Sequence, residues 1–167
     1  MTEMKMPRVM IAAPGSGSGK TMITCGLLEL LRRAGRPISF KCGPDYIDPM
    51  FHRFVLNIPS RNLDTFFTAP DRTRSLMGKA CMKEEADLAV IEGVMGYYDG
   101  LGGVSVRGSS YELSVQTGTP VILVVNGRGM SLSIAALIRG FMDMYPDQMI
   151  RGVILNRVSK VVCERLT

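Results

Sequence analysis

The sequence has no tryptophan, one histidine (His52) and four widely spaced cysteines among its 167 residues. The absence of a Cys-x-x-Cys pair and of a second histidine argues against a zinc site of the Cys/His type, and reduced thiols in the cytosol fit better. No apolar run reaches the roughly 18 residues that a membrane-spanning helix needs. The N-terminal segment Met1–Pro7 mixes charges of both signs, unlike a signal peptide, so we expect a cytoplasmic protein.

The overall composition is that of a globular domain, with 46% hydrophobic and 21% charged residues. The formal net charge of +5 is compatible with attraction to nucleic acid, to an anionic membrane or to a small polyanionic ligand. No stripe of lysine and arginine is interleaved with aromatic residues, so we expect no nucleic-acid binding. We also expect no membrane binding.

Short, fully apolar runs alternate with amphipathic stretches along the chain. Runs of this kind indicate strands that are buried on both faces of a parallel sheet. The predicted strands are Val9–Ala13, Ile38–Phe40, Leu88–Ile91, Val121–Val125 and Ile150–Leu155, and the predicted helices are 20–34, 50–56, 71–83 and 131–145. In the first helix, one face is expected to carry Ile23, Leu27, Leu30, Leu31 and Ala34. We therefore predict an α/β domain with a doubly wound, mainly parallel sheet and helices on both faces.

A glycine-rich segment, Pro14 to Thr21, lies between the first predicted strand and helix, as in P-loop NTPases. Glycines let backbone N–H groups converge on phosphate oxygens, and the helix N-terminus adds its own positive end. Lys20 is expected to reach the β- and γ-phosphates, and the Thr21 hydroxyl to bind Mg²⁺. The residues expected to bind nucleotide are Gly15, Ser16, Gly17, Ser18, Gly19, Lys20 and Thr21. The pattern departs from the usual motif at Pro14, where the first glycine is expected, and it indicates ATP or GTP.

Two acidic loops follow later strands. Asp45 and Asp48 lie in the segment Lys41–His52, while Glu92 and Asp99 open and nearly close the segment 92–100. At the carboxyl edge of a parallel sheet, such carboxylates hold Mg²⁺ or orient a nucleophile. Each carboxylate taken alone is better interpreted as a turn former or a helix cap.

Taken together, these segments resemble the cobyrinic acid a,c-diamide synthases. The resemblance runs from about Arg8 to Val158. Besides the glycine-rich segment and the two acidic loops, it includes Arg61–Phe67 and Val124–Ser131, where Asn126 replaces an aspartate that is frequent in the family. The family consists of ATP- and glutamine-dependent amidoligases of cobalamin synthesis, with a nucleotide-binding domain similar to dethiobiotin synthetase. Two related substrates, hydrogenobyrinic acid and nickel-sirohydrochlorin, remain open alternatives.

The resemblance implies a role for individual residues. A substrate carboxylate attacks the γ-phosphorus of ATP, and ammonia then displaces phosphate from the acyl phosphate. Mg²⁺ is held by Thr21, Asp45 and Glu92, and Lys20 stabilises the transferring group. Lys41 contacts the carboxylated substrate, while Asp48 and Asp99 close the site or orient the substrate. Asn156 reads adenine, although asparagine at a strand end is also a common turn residue, and His52 is interpreted as a packing or loop residue.

The glutaminase half of the family, with its cysteine nucleophile and histidine, has no counterpart in the sequence. After Val158 the chain stops within the expected next helix, and Cys163 lacks the context of a nucleophile. We therefore expect residues 1–167 to form a truncated ATP-binding amidoligase synthetase domain that uses free ammonia and, by family, forms a homodimer. A non-catalytic nucleotide-binding scaffold remains an alternative. A partitioning-type ATPase is disfavoured because Gly15 occupies the position of its signature lysine.

Overall fold

The computed structural model describes residues 6–166, so most of the segment Met1–Pro7, which we interpreted as unlike a signal peptide, lies outside the described residues. Strands and helices alternate along this range. The strands are β1 (Arg8–Ala12), β2 (Pro37–Cys42), β3 (Ser60–Leu63), β4 (Leu88–Glu92), β5 (Val121–Asn126) and β6 (Ile150–Asn156). The helices are α1 (Lys20–Arg32), α2 (Ile47–Phe54), α3 (Pro70–Lys83), α4 (Ser110–Thr117), α5 (Ser133–Asp143) and α6 (Lys160–Leu166). No helix in the described range is long and apolar enough to cross a membrane.

All six strands form one parallel sheet in the order β3-β2-β4-β1-β5-β6. The chain first moves from β1 to β2 and β3 on one side, returns to β4, and then continues to β5 and β6 on the other side. This confirms the predicted doubly wound α/β fold. The point where the direction reverses lies at the carboxyl ends of β1 and its neighbours, which is where ligands bind in such sheets.

Consecutive residues of the central strands face opposite sides of the sheet and build two cores. Met10, Phe40 and Ile91 belong to the core on one face, whereas Ile11 and Val90 belong to the core on the other. All five side chains are completely buried. This alternation explains why the strands read as continuous apolar runs, since neither face is exposed to water.

Two elements were absent from the sequence-based interpretation, β3 and α4. The sequence of β3, Ser-Arg-Asn-Leu, has no apolar run because β3 is an edge strand that pairs only with β2. Helix α4 buries polar side chains such as Ser114 and Thr117, which hydrogen-bond within their own helix, so an amphipathic pattern is missing. Its capping signals were present: Ser109 accepts a hydrogen bond from the Glu112 amide, and Gly118 is left-handed after the last turn.

The buried face of α1 differs from the prediction. Leu28 is completely buried, whereas Leu30 is 63% exposed and Ala34 is also exposed. The prediction that Leu30 and Ala34 belong to the packed face was therefore wrong. Leu30 lies roughly 200° around the helix from Leu28, so the two cannot share one face. The packed stripe runs through Thr24 and Leu28, flanked by the partly buried Ile23, Leu27 and Leu31.

The pair Leu28 and Leu30 allows a direct test of this packing. We expect Leu28→Ala to lower the free energy of unfolding by about 2–5 kcal/mol, because it leaves a cavity between α1 and the sheet. Leu30→Ala, on the same helix, should change it by no more than about 0.5 kcal/mol. Urea unfolding followed by circular dichroism measures both values. Equal losses for the two variants would contradict the observed orientation of α1.

Candidate active site

A cleft of about 350 Å³ opens at the carboxyl ends of the central strands. Three loops form its wall: the glycine-rich loop after β1, the loop after β2 and the loop after β4. The side and main chains lining the cleft come from Ser16, Gly17, Gly19, Lys20, Thr21, Met22, Lys41, Asp45, Glu92, Gly93, Val94, Met95 and Arg157. The fold thus brings most of the residues predicted from the sequence to one place.

The glycine-rich loop has the conformation that its sequence predicts. Gly17 and Gly19 are left-handed, with φ of 75° and 95°, a region that disfavours residues with a side chain. A Cβ on Gly19 would also clash with the amide of Asn156. The buried Ser18 hydroxyl donates to the Gly15 carbonyl at 2.9 Å and closes the turn. No described side chain caps α1, so its first amide groups remain available to an anion.

Lys20 begins helix α1 and reaches across to the loop after β4. Its Nζ donates to the Met95 carbonyl at 2.6 Å. Burial lowers the pKa of Lys20, and the nearby charge of Lys41 lowers it further. An anionic group in the cleft would relieve this unfavourable environment, which suits a lysine whose partner is a phosphate.

Lys41 is a buried cation, 4% exposed, surrounded by acidic side chains. Its Nζ donates to Asp48 at 2.6 Å and to Glu92 at 3.1 Å, and it lies 3.7 Å from Asp45. A further hydrogen bond of 3.3 Å reaches the Gly93 carbonyl. Burial opposes the charge of Lys41, but Glu92 and Asp48 outweigh it and raise the pKa of Lys41 above its usual value. Lys41 is therefore charged, and the structure joins the two predicted acidic loops through it.

Glu92 ends β4 and is completely buried. In the sheet register it lies opposite Lys41 of β2 and Ile11 of β1. Its Oε1 accepts a hydrogen bond from the Thr21 hydroxyl at 2.7 Å. Burial raises the pKa of Glu92, although the charge of Lys41 and the bond from Thr21 act in the opposite direction. The carboxylate thus connects the glycine-rich loop to the buried lysine.

The oxygen donors of this cluster fit Mg²⁺ in the manner of a nucleotide-dependent site. Thr21 and Glu92 present oxygens within hydrogen-bond distance of each other, and Oε2 of Glu92 is buried without a hydrogen-bond partner. Between residues 6 and 166, however, no three His, Cys, Asp or Glu side chains are grouped to hold a metal by themselves. A Mg²⁺ ion here would need phosphate oxygens as well, which is its usual mode of binding. The roles of Thr21, Asp45 and Glu92 as ligands stay predictions.

Asp48 and Asp99 lie in different surroundings. Burial opposes ionisation of Asp48, but the hydrogen bond and charge of Lys41 hold its pKa below the usual value. Asp99 instead accepts a hydrogen bond from the Gly96 amide at 3.0 Å. It borders a neighbouring hollow of about 420 Å³ next to Tyr98 and Tyr145. The structure therefore places Asp48 within the Lys41 cluster and Asp99 at the neighbouring hollow.

Asn156, at the end of β6, lies against the glycine-rich loop. Its Nδ2 donates to the Ser18 carbonyl at 2.9 Å, and its Oδ1 accepts from the Arg157 amide at 2.9 Å. Both ends of the amide are thus engaged within the chain, and its predicted role in reading adenine stays a prediction. Through its bond to the Ser18 carbonyl, Asn156 also holds the glycine-rich loop against the end of β6.

Among the residues near the site that were not predicted site residues, His52 and Arg157 carry ionisable side chains. The ring of His52 is completely buried and lies between Ser39 and Glu92. The sequence feature that could have indicated His52 is that it is the single histidine and lies one helix turn after Asp48. Arg157 lines the cleft with a left-handed backbone (φ 58°), and its signal was a basic residue directly after a strand end.

The chain is similar to curated a,c-diamide synthases, as the motifs predicted. It is 44% identical over 153 residues to cobyrinate a,c-diamide synthase of Priestia megaterium, which covers 91% of this chain and 33% of that protein. It is 45% identical over 157 residues to the enzyme of that name from Thermoplasma acidophilum, covering 93% and 34%. A hydrogenobyrinate a,c-diamide synthase of Mycobacterium tuberculosis is 44% identical over 168 residues, covering 98% and 36%. The chain spans about a third of the length of the curated relatives it matches.

Solved structures with the same fold are more distant. The kinase domain of the Escherichia coli tyrosine kinase ETK superposes with a TM-score of 0.58 at 16% identity, covering 96% of this chain and 71% of that one. Chloroplast FtsY from Physcomitrella patens gives a TM-score of 0.61 at 14% identity, covering 92% and 50%. The superpositions confirm the predicted P-loop NTPase-like fold, and at identities this low they establish nothing beyond the fold.

The family comparison covers nearly the whole chain. The model described as the CobQ/CobB/MinD/ParA nucleotide binding domain matches residues 9–165. That range includes the glycine-rich loop, both acidic loops and the buried Lys41 cluster. The chain belongs to the CobQ/CobB/MinD/ParA nucleotide-binding domain family.

Proposed function

We propose that this chain activates the a- and c-acetate carboxylates of a corrinoid for amidation, in an ATP- and Mg²⁺-dependent step of cobalamin biosynthesis. The observation that carries the proposal is the contact between the glycine-rich loop and the buried Lys41 cluster through Thr21 and Glu92. A nucleotide switch needs only the glycine-rich loop and not the buried Lys41 cluster. A second buried lysine beside the phosphate loop suits a site where an acidic substrate meets the γ-phosphate.

The proposed reaction has two balanced steps. A substrate carboxylate oxygen attacks the γ-phosphorus, and the bond from that phosphorus to the β-γ bridging oxygen breaks. The products of this step are ADP and an acyl phosphate. Ammonia then attacks the acyl carbon, phosphate departs, and a proton is released from nitrogen. A carboxylate is already a nucleophile, so the protein needs to position it and neutralise charge more than to supply a base.

We assign a separate role in this reaction to each of the site residues. Lys20 exchanges the Met95 carbonyl for phosphate oxygens, and the first amides of α1 bind the same group. Lys41 exchanges one of its carboxylate partners for the substrate carboxylate, and Asp48 keeps the lysine charged. Thr21, Glu92 and Asp45 would hold Mg²⁺, which neutralises phosphate charge when bound. Asp99 orients the corrinoid from the adjacent hollow.

The substrate class follows from charge and from the relatives. A net charge of +5 raises the local concentration of a ligand with several carboxylates. Relatives named for cobyrinate and for hydrogenobyrinate match this chain at 44% identity each, so hydrogenobyrinate is a second candidate substrate. We propose ammonia as the nitrogen donor, which the resemblance to the diamide synthases implies is obtained from glutamine in a separate domain, and a homodimer as the assembly.

The proposal is tested by corrinoid-dependent ADP formation. The chain is incubated with ATP, Mg²⁺, ammonium and either cobyrinic or hydrogenobyrinic acid, and ADP is measured by a coupled assay while mass spectrometry follows the amide products. We expect ADP release to require the corrinoid and to match the number of amides formed. ATP binding without corrinoid-dependent turnover would favour a non-catalytic nucleotide-binding scaffold.

The first prediction concerns the carboxylates proposed to hold Mg²⁺. We expect Asp45→Ala and Glu92→Ala each to lower kcat by about 10²-fold or more, because charge on the transferring phosphoryl group is no longer neutralised. Asp71→Ala, which removes an exposed carboxylate from α3, is the matched control and should retain the wild-type rate. Near-normal turnover in either site variant, with circular dichroism unchanged, would refute that residue's assignment.

The second prediction concerns Asn156. Asn156→Ala should raise the KM for ATP with little change in kcat, because it removes the proposed contact to adenine and the bond to the Ser18 carbonyl. Asn126 occupies the equivalent position in β5, opposite Asn156 in the sheet register, and Asn126→Ala is the control. The decisive measurement is the ratio of kcat/KM for ATP and GTP. A ratio that Asn156→Ala leaves at the wild-type value would argue against adenine recognition.

A further inference from the structure

His52 and Glu92 form a buried contact that neither the packing nor the proposed reaction explains. Both side chains are completely buried, and Nε2 of His52 lies 3.6 Å from Oε2 of Glu92. At that distance the contact is too long for a hydrogen bond. In this part of the protein, each of the two atoms is buried without any hydrogen-bond partner.

Two unpaired polar atoms facing each other are an unusual feature of a protein interior. Burying a polar group without a partner is unfavourable, and native structures leave few such groups. Methionine or leucine on α2 would fill the same space without this disadvantage. A purely structural role for the imidazole therefore leaves its Nε2 unexplained.

The groups that face the two ring nitrogens together determine the tautomer. Nδ1 of His52 lies 2.8 Å from the hydroxyl of the buried Ser39 on β2. A hydroxyl can donate or accept, so Ser39 suits Nδ1 with or without a hydrogen, whereas a carboxylate oxygen only accepts. If the ring carried its only hydrogen on Nδ1, the lone pair of Nε2 would face the lone pairs of Oε2. We therefore assign the hydrogen to Nε2, with the Ser39 hydroxyl donating to Nδ1.

We propose that His52 is a positioning residue for Glu92, holding its Oε2 through an Nε2–H···O hydrogen bond when Oε1 is engaged in binding the metal–nucleotide complex. This inference rests on the proposed function, because it gives Glu92 its role in that complex. Ser39, His52 and Glu92 then form one connected line across β2, α2 and β4. The line resembles the outer-shell hydrogen bonds that orient metal ligands in other proteins.

The geometry needs only a small movement to complete the bond. Oε1 is already engaged on the side of the cleft, where Thr21 and Lys41 donate to it. A rotation of the carboxylate that closes the 3.6 Å gap by about 0.6 Å brings Oε2 to ordinary hydrogen-bond distance of Nε2. No proton changes place. His52 would then prevent the carboxylate from turning away from the cleft as Lys41 releases it.

The test compares His52→Met, which keeps the volume but loses the donor, with His52→Gln, which retains an N–H group on a similar reach. Mn²⁺ is the probe, titrated in the presence of a non-hydrolysable ATP analogue and followed by the water-proton relaxation rate. We expect His52→Met to weaken Mn²⁺ binding about 10-fold or more, and His52→Gln to recover most of that loss. Affinity for a fluorescent ATP analogue in EDTA should be unchanged in both variants.

Two further variants separate positioning from loss of structure. Ser39→Ala removes only the hydroxyl that sets the tautomer, and it should weaken Mn²⁺ binding in the same direction as His52→Met even if His52→Met does not fold. Ile58→Val is the packing control: Ile58 is buried, and its amide donates to the His52 carbonyl at 2.9 Å. Ile58→Val loosens α2 without removing a donor, and its Mn²⁺ affinity should equal that of the wild type.

The outcomes distinguish this inference from the proposed function. If the wild type shows no Mn²⁺ relaxation enhancement with nucleotide, both are overturned. If the enhancement is present and lost in Glu92→Ala, but His52→Met or Ser39→Ala keeps wild-type affinity, only the positioning role is overturned. A loss in Ile58→Val equal to that in His52→Met would overturn it as well, since packing alone would then explain the effect.

Discussion

The site depends on one interaction, the burial of the Lys41 ammonium against the Glu92 carboxylate. Neither charge is stable in the interior alone, because removing an ion from water costs several kcal/mol that only a well-placed partner offsets. The register of β2 and β4 places the two residues opposite each other, so the sheet itself provides the pairing. Asp48 adds a second negative charge next to Lys41 and accepts a hydrogen bond from it, and the Thr21 hydroxyl donates a hydrogen bond to Glu92.

This pairing requires the strand order that is observed. Lys41 and Glu92 are 51 residues apart in the sequence, and they meet only because β4 is inserted between β1 and β2. The same insertion places the end of β4 next to the glycine-rich loop that follows β1. A parallel sheet with the strands in chain order would separate these loops. The reversal in the winding is therefore what turns three loops into one site.

The parts of the structure that sequence predicts well are those governed by local pattern. Fully apolar runs identified β1, β4, β5 and β6, and the glycine spacing identified the loop before α1. The prediction fails for the two elements that lack an apolar pattern. Edge strand β3 is held by its pairing with β2, and α4 by hydroxyl hydrogen bonds inside a polar helix. Leu30 was misplaced because helical spacing does not decide which side of an apolar stripe faces the sheet: the buried stripe runs through Thr24 and Leu28, to one side of the predicted face, and leaves Leu30 exposed.

The same distinction applies to the site. Lys20 and Thr21 were indicated by the glycine-rich loop, Asp45 and Glu92 by the acidic loops, and Lys41 by the resemblance to the diamide synthases. The structure brings all five to one cleft, and their roles stay predictions. The role proposed for His52 could not be predicted from the sequence. It depends on Ser39 and Glu92, which approach His52 only through the β2–β4 pairing and the packing of α2. The position of Asn156 behind Ser18 likewise joins residues 138 apart in the sequence. Pattern indicates which residues can do chemistry, whereas contacts decide how each one is oriented.

The loop after β4 shows how closely the elements of the site are coupled before any ligand binds. A Cβ on Gly96 would clash with Asp99 and with the Pro14 carbonyl, so the loop lies directly on the glycine-rich loop. The Tyr97 amide donates to the Ala13 carbonyl at 2.8 Å, and Lys20 is held by Met95. These bonds join the glycine-rich loop to the loop after β4. A phosphate that bound at Lys20 would therefore alter the surroundings of Glu92 by two routes, the Thr21 hydroxyl and the Met95 segment.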